Sequence, residues 1–238
     1  MIGIFSKTTD SSFVEAAGLA GLDFIIIDQE HGPISQEKLY HHVRAGQISG
    51  LKTIVRVKNV DPHAISSALD SGADGVQVPN ITTPDEAEQV VEAARFYPSG
   101  RRGVCRFVRA AEYGSKEKEK YFIHENTKKI ILQVEGVEGI ENIDRILDVE
   151  GFDVLFAGPY DLSQSLGLPG QIEHPLVMKN LKLLAQKTKE AGKIAGIFTD
   201  NPKLLSVLKN EGFEYIAYSV DVHLFLLACR EVKKLSTS

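Results

Sequence analysis

The sequence predicts an α/β fold whose parallel strands close into a (β/α)8 barrel. Eight short runs rich in β-branched and aromatic residues alternate with longer amphipathic stretches, the pattern of a parallel sheet with crossover helices. The turn after the first run, Ser6-Lys7-Thr8-Thr9-Asp10, lacks a glycine-rich dinucleotide fingerprint, which weakens the case for an open doubly wound sheet. With 238 residues and 43% apolar composition, the chain can fill such a core as one domain, residues 1–238. These features together predict a TIM barrel.

The strands are expected at Ile2–Phe5, Phe24–Asp28, Thr53–Val57, Gly75–Val78, Ile130–Glu135, Val154–Ala157, Ile194–Phe198 and Tyr215–Val220. Helices are expected between them, at Ser11–Ala20, Ser35–Ala45, Ala64–Asp70, Asp85–Phe96, Ile140–Leu147, Pro175–Ala191, Pro202–Asn210 and Val222–Leu235. Ser11 and Ser35 are N-cap types. Pro84, Pro175 and Pro202 sit at first helical turns, where a missing N–H is no loss. Gly72, Gly192 and Gly212 fit the left-handed position that ends a helix. One region is irregular. Tyr97–Asn126, between the fourth helix and the fifth strand, reads as an active-site loop on the functional side of the barrel.

Composition excludes several roles. No apolar run approaches the roughly 20 residues that cross a bilayer, so no membrane partner is expected. The start, Met1-Ile2-Gly3-Ile4-Phe5, enters a strand with no basic region or cleavage site, so secretion is not expected. Cys105 and Cys229 form no disulfide framework and have no metal-ligand spacing, which points to reducing cytoplasm. A net charge of −5 argues against a nucleic-acid partner.

Chemistry concentrates at strand ends, the catalytic face of such barrels. Phe24-Ile25-Ile26-Ile27-Asp28-Gln29-Glu30-His31 is an apolar strand tipped with ionisable residues, and desolvating several charges at the mouth of a core is costly. His31 there is well sited for proton transfer. Arg56, inside an apolar strand, needs an anionic partner, either a structural acid or a substrate carboxylate or oxyanion. Gln133 and Glu135 are two apart and share a side of their strand. Glu135 and Asp161, from neighbouring strands, suit a hard divalent ion such as Mg²⁺ or Mn²⁺. A salt bridge would also account for either acid, and an N-cap role for Asp161. Backbone N–H groups over Gly158–Asp161 can cradle an anion. Lys52 and Lys193 precede their strands and Lys58 is at best on the rim, so metal chemistry is favoured over a Schiff base.

Six segments carry a resemblance: Asp28-Gln29-Glu30-His31, Val55-Arg56-Val57, Leu69-Asp70-Ser71-Gly72-Ala73, Arg102-Gly103-Val104, Gln133-Val134-Glu135 and Gly158-Pro159-Tyr160-Asp161-Leu162-Ser163. In this order they resemble the metal-dependent pyruvate aldolases of the HpcH/HpaI family. The resemblance implies a class II aldolase that reversibly cleaves a 4-hydroxy-2-oxo acid to pyruvate and an aldehyde through a metal-stabilised enolate. It implies that Glu135 and Asp161 bind Mg²⁺ or Mn²⁺, or Co²⁺, and that pyruvate chelates the ion. Gln133, Gly158, Pro159, Tyr160 and Asp161 would line the pyruvate pocket, and Arg56 would contact the keto oxygen. His31 would move protons through water, paired with Asp70 of a neighbouring subunit. The last helix, Val222–Leu235, would pack on a partner barrel in a trimer or hexamer. Alternatives are a citryl- or malyl-CoA-type lyase, or a non-catalytic keto-acid-binding barrel. The chain departs from the family pattern at Cys105-Arg106-Phe107 and at Tyr160, and Arg106 is expected to meet an acidic or phosphorylated acceptor.

Overall fold

The structure, a computed structural model, describes residues 1–236. Along the chain run β1 (Ile2–Ser6), α1 (Ser12–Leu19), β2 (Phe24–Asp28), α2 (Gln36–Ser49), β3 (Lys52–Arg56), α3 (Pro62–Asp70), β4 (Gly75–Val78) and α4 (Pro84–Ala94). Then follow a 3-10 segment (Arg109–Gly114), α5 (Lys118–Glu125), β5 (Lys129–Val134), α6 (Val137–Glu141), α7 (Ile143–Leu147), β6 (Val154–Ala157) and α8 (Pro159–Ser165). The chain ends with α9 (Pro175–Glu190), β7 (Ile194–Thr199), α10 (Leu204–Asn210), β8 (Tyr215–Val220) and α11 (Asp221–Leu235). All eight strands are parallel, and β1 pairs with both β2 and β8 to close the barrel.

Ser35 caps α2 by accepting from the Lys38 N–H, whereas Ser11 makes no side-chain cap on α1. Thr83 caps α4 in a reciprocal capping box with Glu86, and Pro84 follows at the first turn. His174 caps α9 ahead of Pro175. Gly72, Gly192 and Gly212 all have left-handed φ. Pro202 instead precedes α10, whose first residue is Leu204. The stretch expected as one helix over Ile140–Leu147 is broken at Asn142 into α6 and α7.

Side-chain alternation along each strand separates two cores. Phe5, Phe24, Ile26, Ile54, Ile131, Phe156 and Tyr215 fill the barrel interior, with Phe24 and Tyr215 stacked at 3.9 Å. A larger cluster lies between the sheet and the helices. The inward columns change character toward the C-terminal mouth: Ile26 gives way to Asp28, Ile54 to Arg56, and Ile131 to Gln133 and then Glu135. Strand register aligns Asp28 with Arg56 and Arg56 with Gln77. An apolar plug thus supports a polar mouth.

Tyr97–Asn126 does not lie on that mouth. It joins a helix to the following strand, so the polarity of the barrel places it at the N-terminal face. There Arg102 binds Asp70 at the end of α3, and Arg109 donates to Ser71 O at 3.0 Å. Phe96, Ala110, Ala111 and Tyr121 give the segment its own small core. The expectation of an active-site loop is corrected within this chain: an insertion that follows a helix falls opposite the catalytic face.

Candidate active site

A cavity of about 260 Å³ opens at the C-terminal mouth. Arg56 in its polar wall is engaged by Asp28, which is fully buried. Arg56 donates to it from Nε at 3.0 Å and from Nη2 at 2.8 Å. The backbone N–H groups of Glu30 and His31 reach the same carboxylate at 3.1 and 3.2 Å. Burial alone would push the Asp28 carboxyl up, but the Arg56 hydrogen bonds and charge outweigh it and hold the group below its ordinary range. Glu30 lies 3.0 Å from Arg56 Nη1. Its burial prevails over Arg56 and His31, so its carboxyl is raised. The His31 ring is exposed at the rim, with Nε2 3.8 Å from Glu30.

The second wall is an amide relay. Gln77 donates from Nε2 to Gln133 Oε1, and Gln133 donates in turn to Glu135 Oε2 at 2.5 Å. The Asn80 N–H reaches Glu135 Oε1 at 2.9 Å, from a residue in the left-handed region. Burial pushes the Glu135 carboxyl up to about 7, and the charges of Asp161 and Glu30 act the same way. Gly158 makes room for this carboxylate, since a Cβ there would stand 2.5 Å from Glu135 Oε2. Asp161 is exposed in the first turn of α8, with Gly158 as its N-cap residue. Among the described residues no group of three or more His, Cys, Asp or Glu side chains is arranged to hold a metal. The donor set still fits a Mg²⁺-type ion, which takes one or two carboxylates and fills its remaining positions with water and substrate oxygens. A buried, under-neutralised carboxylate facing a glycine cradle is the observation that supports the fit.

His31, Arg56, Gln133, Glu135, Gly158, Pro159, Tyr160 and Asp161 therefore share one cavity. Asp70 does not, because it ends α3 at the opposite face, where Arg102 holds it at 2.6 Å. Within one chain the His31–Asp70 pair is not formed. Arg106 is also remote, since its guanidinium donates to the carbonyls of Gly114 and Lys116. The expectation that it meets the acceptor is corrected within this chain. Sequence reasoning missed Lys7, which lines the cavity, and Gln77, which starts the amide relay. Both follow an inward strand position by two residues, the signal that would have found them.

The sequence profile of the HpcH/HpaI aldolase/citrate lyase family matches residues 1–228. A 2-keto-3-deoxy-L-rhamnonate aldolase of Shigella sonnei is 36% identical over 226 residues, covering 94% of this chain and 84% of that protein. The chain belongs to the HpcH/HpaI aldolase/citrate lyase family. An HpcH/HpaI family protein from Burkholderia cenocepacia superposes with a TM-score of 0.95 at 33% identity, covering 100% of this chain and 95% of its own. The HpcH/HpaI aldolase of Desulfitobacterium hafniense gives 0.91 at 28% identity, over 98% and 92% of the two chains. Membership makes this chain a carbon–carbon lyase of the aldolase type. Against the HpcH/HpaI pattern, Tyr160 is tied down: its hydroxyl lies 3.0 and 2.9 Å from the Asp200 oxygens, and burial with Asp200 pushes the phenol up to about 12.

Proposed function

We propose that the chain is a divalent-metal-dependent class II aldolase that reversibly cleaves a 4-hydroxy-2-oxo acid to pyruvate and an aldehyde. The observation that carries this reading is the buried Glu135 carboxylate, cradled by Gly158, in a cavity that also holds Asp161, Arg56 and His31. Glu135 and Asp161 would hold Mg²⁺, Mn²⁺ or Co²⁺, which when bound supplies Lewis-acid polarisation of the keto group. A 2-keto-3-deoxy sugar acid is the substrate class suggested by the relatives' name.

Arg56 is fixed by Asp28 and Glu30, so it meets developing negative charge on the keto oxygen without reorganising. The Tyr160 and Asp161 N–H groups, in the unpaired first turn of α8, would take the pyruvate carboxylate. Gln133 aligns Glu135 through its amide. His31 would move protons through water. In cleavage the 4-hydroxyl loses its proton, the C3–C4 bond breaks, and the released enolate takes a proton at C3. The addition direction runs these steps in reverse.

Asp70 would complete the proton relay from a neighbouring copy in a homo-oligomer, trimer or hexamer. A cytoplasmic setting is in keeping with two free, exposed cysteines, Cys105 and Cys229. A coupled pyruvate-release assay over 4-hydroxy-2-oxo acids, including 2-keto-3-deoxy-L-rhamnonate, tests the reading. Release should require Mg²⁺, Mn²⁺ or Co²⁺ and disappear in Glu135→Ala. Release that ignores a chelator, or none from any substrate, contradicts it.

A further inference from the structure

Lys7 stands at the cavity mouth with no task in the chemistry above. It lies two residues beyond Phe5, so its side chain continues the inward column of β1 and lines the cavity. Its ammonium is 3.4 Å from Asp28 Oδ2, an ion pair without a hydrogen bond among the described residues. The Lys7 charge helps hold the Asp28 carboxyl down, but the hydrogen bonds of Asp28 come from elsewhere. Oδ1 already accepts from Arg56 Nε and from the N–H groups of Glu30 and His31, and Oδ2 accepts from Arg56 Nη2. Lys7 therefore keeps its ammonium donors uncommitted to Asp28. The side chain remains 31% exposed, which leaves its three donors within reach of a ligand.

The base of this side chain is fixed. Asp221, buried at the start of α11, accepts from the Ser6 hydroxyl at 2.8 Å and from the Lys7 N–H at 3.0 and 3.1 Å. It also accepts from the Thr8 N–H at 3.3 Å and the Thr8 hydroxyl at 3.2 Å. One carboxylate thus pins three consecutive residues, and a flexible four-carbon stem rises from a rigid root. Tyr160, locked by Asp200 and packed 6.1 Å from Phe198, lines the same cavity. Arg56, the other permanent cation around the cavity, is engaged by Asp28 and Glu30. A second anionic group on a substrate would find Lys7.

We propose that Lys7 is a specificity-determining residue that binds an anionic group, carboxylate or phosphate, at the far end of the acceptor aldehyde. This rests on the aldolase reading of the same cavity. A compact ammonium on a mobile stem suits either anion, and the aldehydes used in the test distinguish them. If Lys7 merely supported Asp28, its loss would weaken addition to every aldehyde alike.

The test is pyruvate addition by the full chain with Mg²⁺, comparing glycolaldehyde with succinic semialdehyde and with D-glyceraldehyde 3-phosphate. The ratio of kcat/KM for an anionic over the neutral aldehyde should fall about tenfold or more in Lys7→Met, carried by KM, and recover in Lys7→Arg. The aldehyde showing the fall identifies the anion. Ratios that move less than about twofold for both anionic aldehydes overturn the proposal. Deuterium exchange of the pyruvate methyl group, measured on the same wild-type sample without acceptor, separates the two claims. Exchange with flat ratios overturns only the role of Lys7, whereas no exchange overturns the aldolase reading and this proposal with it.

Discussion

Asp28 is where the site and the stability of the chain meet. Its carboxylate is fully buried and engaged by Arg56 through two nitrogens, and Arg56 itself is only 10% exposed. Asp28→Asn removes one of two carboxylates on Arg56 and leaves Glu30 3.0 Å from it, so the chain should lose about 1–3 kcal/mol near neutral pH. The folded pKa of Asp28 lies below its unfolded value of about 4, so its contribution is complete above that value and is lost as pH falls through the folded one. Urea midpoints measured from pH 7 to pH 3 should show a constant gap between wild type and Asp28→Asn above about pH 5 that narrows below about pH 4. A gap independent of pH would contradict the assignment. The strand tip Asp28-Gln29-Glu30-His31 was legible in the sequence because acids rarely end an apolar strand without cause. The identity of Arg56's partners was not, because they depend on the register that aligns Asp28 with Arg56.

At the scale of elements, the Tyr97–Asn126 segment is held by a buried charge cluster rather than by its own helices. Arg102, with no exposed side-chain surface, donates to Asp70 at 2.6 Å and to Glu125 at 3.3 Å, and it covers the Phe96 ring at 4.6 Å. Burial pushes Glu125 up, with Lys128 and Arg102 pulling it back. Arg102→Met keeps most of the packing and takes one cation from Asp70 and Glu125, leaving Lys128 3.9 Å from Glu125, so equilibrium denaturation should show a loss of about 1–3 kcal/mol. A change below about 1 kcal/mol would mean that the cluster is solvated. The eight strands were legible because each is a compact β-branched run. The 3-10 segment and α5 were not, because Arg109–Gly114 contains left-handed residues at Glu112 and Tyr113, and α5 opens on charged residues without a side-chain cap. Placement of the segment at the N-terminal face follows from chain polarity, which outweighs the general association of long loops with function.

For the whole molecule, the last helix and the proposed His31–Asp70 relay point the same way. α11 leaves Phe225 59% and Val232 68% exposed, with Leu226 and Leu227 beside them. Asp70 faces away from the His31 of its own chain, at the opposite end of the barrel. Both features suit a homo-oligomer in which one copy covers α11 and supplies Asp70 to another. Light scattering should then give a trimer or hexamer, and the double variant Phe225→Asp with Leu226→Asp should dissociate it and lower activity together. A monomeric, fully active wild type would contradict this. Barrel closure was readable from the count of strand–helix units, but an assembly was not, because the run Leu224-Phe225-Leu226-Leu227 fits intramolecular packing equally well until its exposure is seen. On the aldolase reading, this mouth removes a methyl proton from pyruvate with a cation held by Glu135 and Asp161. The most direct measurement is proton NMR of pyruvate in D₂O with the enzyme and Mg²⁺. The methyl resonance should fade with wild type, and persist when the ion is chelated or Glu135 is replaced by Ala. Fading at the same rate in all three samples, or persistence in all three, would contradict it.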